Sequence, residues 1–220
     1  MMEEDVYIVI AAYNESKKIA DVIDRTKKFC KNIIVVDDGS RDKTYDIAKS
    51  KGVIALRHII NLGKGAAVKT GCNLAVEKGA KFVILIDGDG QHEPEEVPKF
   101  LKALEHSDIV FGYRRFSKKM PIVFRFGNTF INLMTRILYG IKLKDTQCGY
   151  RALRADAYKK VRWNASDYAM ESEMIANAGK HNLKYDEIEI KTIYNDKYKG
   201  TTVIDGIKIV LNLILWRLKK

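Results

Sequence analysis

An α/β fold, a mostly parallel sheet with helices on both faces, is what this chain predicts. Between Val6 and about Tyr113, short β-branched runs alternate with longer amphipathic stretches, the pattern left by strands joined through crossover helices. The strand and loop ends carry polar or glycine-rich segments, and in such sheets ligands gather beyond the carboxyl ends of the strands. With 220 residues, 46% hydrophobic and 30% charged, the composition suits a single domain with a sizeable core.

The elements follow in order. Val6 to Ala12 reads as a strand, Ser16 to Cys30 as a helix and Ile33 to Asp37 as a second strand. Thr44 to Lys51 is a short helix, Val53 to Arg57 a third strand, and Gly65 to Lys78 a helix opened by glycines. Phe82 to Asp87 and Asp108 to Tyr113 are strands flanking a helix over Pro94 to His106. From Ile122 to Ile141, Phe126, Phe130, Leu133, Met134, Ile137 and Ile141 recur at helical spacing, with Arg125, Asn128, Asn132 and Arg136 on the other side. Val203 to Leu218 has a wider apolar face and ends in Trp216-Arg217-Leu218-Lys219-Lys220, a composition suited to an anionic headgroup region, with an oligomer contact as the rival. No linker or repeat divides the chain, so 1–220 is expected to be one domain. Its parts are a nucleotide-binding half over 1–113, an acceptor and sugar half over 114–202, and the terminal helix over 203–220.

The segment Phe82 to His92 drives an apolar strand into Asp87-Gly88-Asp89. In extended chain, alternate side chains share a face, so Asp87 and Asp89 are expected to point the same way. Two hard oxygen ligands suit Mg²⁺ or Mn²⁺, with positions left for substrate phosphate. The other strand and loop ends offer Tyr13-Asn14-Glu15, Asp37-Asp38-Gly39-Ser40 and Asn61 to Gly65. Asp37 or Asp38 can accept hydrogen bonds from a base or ribose, and Tyr13 can cover a base. Lys64 stands at a helix start that favours an anion, or else is a solvated loop lysine. Arg114 and Arg125 are the chosen candidates for gripping an acceptor phosphate.

Lysine and arginine outnumber acids 39 to 28, a net charge of +11 that favours anionic partners. Nucleic acid is not among them, because basic and aromatic residues are not interleaved on a recognisable motif. Cys30, Cys72 and Cys148 lie far apart without CxxC spacing, which excludes a zinc or disulfide framework and points to reduced, packed thiols. The acidic start, Met1 to Asp5, runs directly into a strand, so no signal peptide is expected. No segment reaches the length of a membrane span.

Taken together, Ala12-Tyr13-Asn14-Glu15, Asp37-Asp38-Gly39-Ser40 with Asp42 and Thr44, Asn61 to Gly65, Asp87 to His92 with Pro94, and Asp145 to Arg151 resemble glycosyltransferase family 2. Within it, the chain resembles the dolichyl-phosphate mannose and glucose synthase branch. The resemblance implies a GT-A fold, an inverting transfer, a nucleotide-sugar donor and a divalent metal. GDP-mannose, UDP-glucose and UDP-N-acetylglucosamine all fit. Ala12, Tyr13, Glu15 and Asp38 would line the nucleotide pocket, with Asp37 close by. Asp87, Asp89 and Gln91 match a metal-binding DxDxQ pattern, and Asp89 would be the direct ligand.

In this branch the acceptor is a polyprenyl phosphate, already anionic, so no general base is implied. Gln147 would lie over the donor sugar, unless its segment is a buried turn entering another strand. Glu171 and Glu173 fall where relatives carry acids near the sugar, the competing reading being a solvated helix face. Lys197, Gly200 and Thr202 stand where relatives have an arginine and a Gly-x-Ser turn, and Lys197 is the candidate phosphate contact there. Several relatives continue into transmembrane helices. The expectation is therefore a peripheral protein on the cytoplasmic face of the membrane, with a homo-oligomer or partner as an option. A soluble or glycan hydroxyl acceptor, with Glu171 or Glu173 as base, is the alternative.

Overall fold

The structure, a computed structural model, describes residues 5–115, 122–191 and 203–218, without the side chains of 122–126 and 203–205. The expected strands form where the β-branched runs predict them: β1 (Val6–Ala12), β2 (Ile33–Asp37), β3 (Ile54–Arg57), β4 (Phe82–Asp87) and β5 (Ile109–Arg114). The helices between them are α1 (Ile19–Thr26), α2 (Thr44–Ser50), α3 (Lys64–Glu77) and α4 (Val97–Ala103). After β5 come α5 (Ile122–Tyr139), β6 (Arg151–Arg154), α6 (Ala155–Val161), α7 (Ala169–Lys180), β7 (Tyr185–Ile190) and α8 (Val203–Leu218).

Two helices are shorter than the sequence pattern suggests. Backbone N–H groups of Lys18 and Ile19 turn back onto Glu15 O, so α1 starts only at Ile19. Pro94–Glu96 forms a separate 3-10 turn before α4, which ends at Ala103 instead of His106.

Seven strands make one sheet in the order β3-β2-β1-β4-β6-β5-β7. The sheet is mostly parallel, as expected, with one antiparallel strand. β6 runs antiparallel to both β4 and β5 and separates them. The Gln147 to Arg151 segment that leads into it is a mostly buried turn with Gln147 half-buried at the cleft.

Period-two alternation builds a core on each face. Tyr7 and Val9 of β1 join Val36, Leu85, Met174 and Trp163 on one side, while Ile8 and Ile10 join Val35, Ile86, Ile23 and Phe100 on the other. The three cysteines are buried free thiols, and burial pushes that of Cys148 up to about 12, which keeps it protonated and inert.

A third cluster joins α5, α7 and α8 through Ile131, Tyr139, Ala176, Ile209 and Leu213. Tyr139 fixes the pairing by donating to Leu213 O at 2.6 Å. This packing divides the apolar stripe of α5. Its inward residues include Asn128, Ile131, Thr135 and Tyr139, while Phe130, Leu133 and Ile137 are exposed. The asparagines turn inward because the 144–146 turn needs partners. Asn132 Nδ2 donates to Lys144 O at 2.8 Å and its Oδ1 accepts from Thr146 N at 3.2 Å. Among the described residues no helix is long and apolar enough to cross a membrane.

Candidate active site

Parallel register brings the acid-bearing ends of three strands to one level, with Ala12 opposite Asp37 and Ala11 opposite Asp87. Beyond them opens a cleft of about 940 Å³. Its polar end carries Tyr13, Glu15, Asp38, Asn61, Asp87 and Asp89, and its other end is walled by Phe130 and Ile131 of α5 and by Ile207, Val210 and Leu211 of α8.

The loops at the polar end are locked to one another. Asn14 N donates to Ser40 Oγ at 2.8 Å, Glu15 N to Thr44 Oγ1 at 2.8 Å, and Ser16 N to Asp42 Oδ2 at 3.1 Å. Burial would raise the Asp42 carboxyl, but hydrogen bonds from Thr44 and Ser16 outweigh it and bring its pKa down to about 2. Asp38 organises the next loop, accepting from Leu62 N at 3.0 Å, Gly63 N at 2.8 Å and His58 Nδ1 at 2.7 Å. Gly63 is required there: its φ is +97°, and a Cβ would stand 2.3 Å from Ser166 O. Asp37, in contrast, does not line the cleft. It is fully buried and ion-paired with Arg57 Nε at 3.3 Å, so direct nucleotide contact is not its geometry.

At the tip of β4 the extended-chain argument needs correction. The strand stops at Asp87, and Gly88-Asp89 form a turn, so the turn, not strand alternation, brings both acids into the cleft. Asp89 Oδ1 accepts from Gln91 N at 3.0 Å. Burial and then the charge of Asp87 push the Asp89 carboxyl above the usual carboxylate range. Burial acts on Asp87 in the same direction, but the ammonium of Lys64 overrides it and holds Asp87 below that range. Lys64 Nζ lies 2.8 Å from Asp87 Oδ1 and 3.0 Å from Glu171 Oε1, so it is not a solvated lysine but an ion-paired one. His92 is buried and its pKa lowered by that burial. Its Nδ1 accepts from Asp87 N at 3.3 Å, the role of a neutral ring, so its 3.7 Å approach to Asp87 Oδ2 is not an ion pair.

The acids on α7 divide. Glu171 is 2% exposed, lines the cleft, and keeps Oε2 without a hydrogen-bond partner among the described residues. Glu173 is also buried, but its Oε2 accepts from Asn164 N at 3.0 Å and Ala165 N at 2.8 Å. It is a clasp for that loop and does not line the cleft. Neither lies on a solvated face.

Gln147 lines the cleft and donates to Ser172 Oγ at 3.1 Å. Arg114 also lines it, with Nε 2.7 Å and Nη2 3.2 Å from the buried carboxylate of Asp145. Asn128 Nδ2 donates to the same carboxylate at 3.2 Å. Asn128 is a cleft residue that the stripe reading assigned only to the polar side of α5. Another missed side chain is Tyr168, at the cleft wall 5.9 Å from Lys64 Nζ. The side chain of Arg125, and Lys197, Gly200 and Thr202, lie outside the described residues.

Whether this end suits a divalent cation can be judged from its charge. Lys64 pairs with Asp87 and Glu171 and the buried Arg151 acts on Glu171, so the three carboxylates still outnumber the cations beside them, and the raised Asp89 registers the repulsion from Asp87. Hard carboxylate oxygens in that surplus fit Mg²⁺ or Mn²⁺. Among the described residues no three His, Cys, Asp or Glu side chains form a preformed cage, so further ligands would have to come from substrate oxygens.

The mostly parallel sheet, its antiparallel β6 and the acid-tipped cleft beyond β1, β2 and β4 define a glycosyltransferase of the GT-A class. The family model described as Glycosyl transferase family 2 matches residues 7–162. The chain belongs to that family and is similar to its dolichyl-phosphate sugar synthase-like branch.

A Methanocaldococcus jannaschii protein described as uncharacterized is 41% identical over 98% of this chain and 93% of its own length. UDP-N-acetylglucosamine–dolichyl-phosphate N-acetylglucosaminyltransferase of Methanococcus voltae is 34% identical, covering 100% of this chain and 99% of that protein. Among solved structures, glucosyl-3-phosphoglycerate synthase of Mycobacterium tuberculosis, in complex with Mn²⁺, UDP and phosphoglyceric acid, superposes with a TM-score of 0.75 at 19% identity. The match covers 97% of this chain and 78% of that one.

Proposed function

We propose that the protein transfers a sugar from a nucleotide-diphosphate donor to a polyprenyl monophosphate at a membrane surface, with a divalent cation as cofactor. One observation carries this reading: a single cleft joins an acidic strand tip to the apolar walls of α5 and α8. A diphosphate with its cation suits the first end, and an isoprenoid chain suits the second. The Methanococcus voltae relative, named for UDP-N-acetylglucosamine and dolichyl phosphate, makes that donor the first to test. UDP-glucose and GDP-mannose follow, in view of relatives named as dolichyl-phosphate glucosyltransferase and undecaprenyl-phosphate mannosyltransferase.

The division of labour follows from the side chains. Tyr13, Glu15, Asp38 and Asn61 border the volume for the nucleoside, with the N-terminus of α3 directed at its phosphates. Asp89, with Asp87 beside it and Gln91 supporting it through the backbone, would hold the cation, which when bound screens the charge of the departing diphosphate. Arg114, steadied by Asp145, presents positive charge where the acceptor phosphate would enter. Arg125 starts from the same helix that supplies Asn128 and Phe130 to the cleft. Attack by a phosphate oxygen needs positioning and charge screening, not proton removal.

A second reading has its own support. Glu171 lines the cleft and its buried Oε2 has no hydrogen-bond partner among the described residues, so this carboxylate could take the proton of a hydroxyl acceptor. Incubation with each radiolabelled donor, Mn²⁺ and vesicles containing a polyprenyl phosphate separates the two. Label extracted into organic solvent as lipid phosphate sugar is expected; label confined to a soluble sugar or glycerate product rejects the lipid acceptor.

A further inference from the structure

Lys64 opens α3 and turns its ammonium into the cleft, where both oxygens of Asp87 lie within reach, at 2.8 and 3.0 Å, and Glu171 Oε1 at 3.0 Å. The side chain is 19% exposed, so these pairs form largely out of water, where Coulomb attraction is strongest. Gly149 makes room for the arrangement. A Cβ there would stand 2.6 Å from Lys64 Nζ and 3.0 and 3.2 Å from the oxygens of Asp87. The consequence is a competition. A cation approaching Asp89 finds its neighbour Asp87 already neutralised by an ammonium, and two cations cannot share those oxygens without repelling each other. A nucleotide diphosphate entering at the start of α3 offers the ammonium a second anion on the same cleft wall.

We propose that Lys64 is a positioning residue that makes cation binding conditional on the nucleotide. In the donor-free protein its ammonium holds Asp87 and Glu171. When a diphosphate enters, the ammonium transfers to it and releases Asp87 to the cation. This rests on the metal and nucleotide reading above and adds an order to it, with the nucleotide admitting the cation. The order has a chemical benefit, since Asp87 and Glu171 stay ion-paired between turnovers without a resident metal.

The test uses the full chain and reads free Mn²⁺ by its electron paramagnetic resonance, with no nucleotide and then with saturating UDP or GDP. Lys64→Met is expected to bind Mn²⁺ alone at least tenfold tighter than the parent protein. Its gain in Mn²⁺ affinity on adding nucleotide should shrink by the same factor. Lys64→Arg, which keeps the charge, should behave like the parent. If Lys64→Met fails to fold, Gly149→Ala decides. It removes no charge but pushes a methyl against the ammonium, and it should tighten Mn²⁺ binding alone several-fold. The proposal is overturned if parent and variants bind Mn²⁺ with nucleotide but the folded variants bind it alone no tighter than the parent. If no form binds Mn²⁺ even with UDP and GDP, the metal reading itself fails and takes this inference with it.

Discussion

The two ends of the cleft are built by opposite means. At the polar end, short loops from neighbouring strands lock each other through Ser40, Asp42, Thr44 and Asp38. At the apolar end two helices far apart in sequence pack one face onto the body through Ile209, Leu213 and Tyr139 and leave Phe130, Leu133, Ile207, Leu211 and Leu215 exposed. The first end has its loops fixed by hydrogen bonds that need no ligand. The second has surplus apolar surface and asks for something to cover it. A rigid site for the reacting groups beside an unsatisfied surface is the arrangement expected where a soluble donor meets a lipid acceptor.

The largest effect should come from the polar end alone. Asp89→Ala is expected to lower transfer on the order of a thousandfold, the loss of several kcal/mol of charge stabilisation. Its melting temperature and vesicle binding should stay near the parent values, and near-normal transfer would remove Asp89 from the reaction.

Where the ends meet, Arg114→Met leaves the fully buried Asp145 without its guanidinium. Breaking such a pair costs about 3 kcal/mol, to be read from urea unfolding; a loss of transfer with no loss of stability would show that Asp145 does not depend on it. At the apolar end, Leu211→Glu with Leu215→Glu should reduce partition into anionic vesicles about tenfold, since each side chain is half-exposed and loses part of a leucine's burial energy. Nucleotide-dependent thermal shifts should not change. Equal vesicle binding would mean that the surface meets a protein instead.

The smallest effect is a pH dependence. The Asp42 pKa is lowered from 3.8 to about 2 in the folded protein, so its contribution to stability is fully present above pH 4 and is lost as pH falls towards 2. Asp42→Ala should flatten that part of the acid unfolding curve, measured by circular dichroism; an unchanged curve would show that the loop lock carries no stability.

The same contrast explains what could be read from sequence. β1 to β5 follow from β-branched runs bounded by turn residues, and the pocket residues cluster in short motifs, so Tyr13, Glu15, Asp38, Asp87 and Asp89 were legible. What was not legible depends on distant partners. Nothing near Arg151–Arg154 announces that β6 will run antiparallel between β4 and β5. Nothing in the stripe of α5 says that Asn128 and Asn132 face inward, because the carbonyl and carboxylate they serve belong to the 144–146 turn. Asp37 and Glu173 look like their neighbours Asp38 and Glu171 until packing turns one of each pair away from the cleft.

The position of β6 also governs how the chain must assemble. β4 carries the acids, yet the partner that covers its second edge is Arg151–Arg154. During synthesis that edge, with Val83 to Ile86 behind it, stays unpaired until the polypeptide has passed α5, and long-range pairing of this kind is slow. A fragment ending at residue 113 would leave that edge of β4 bare, an apolar strand prone to pairing with other chains. The nascent protein acquires its reactive centre late, when the return strand closes the sheet.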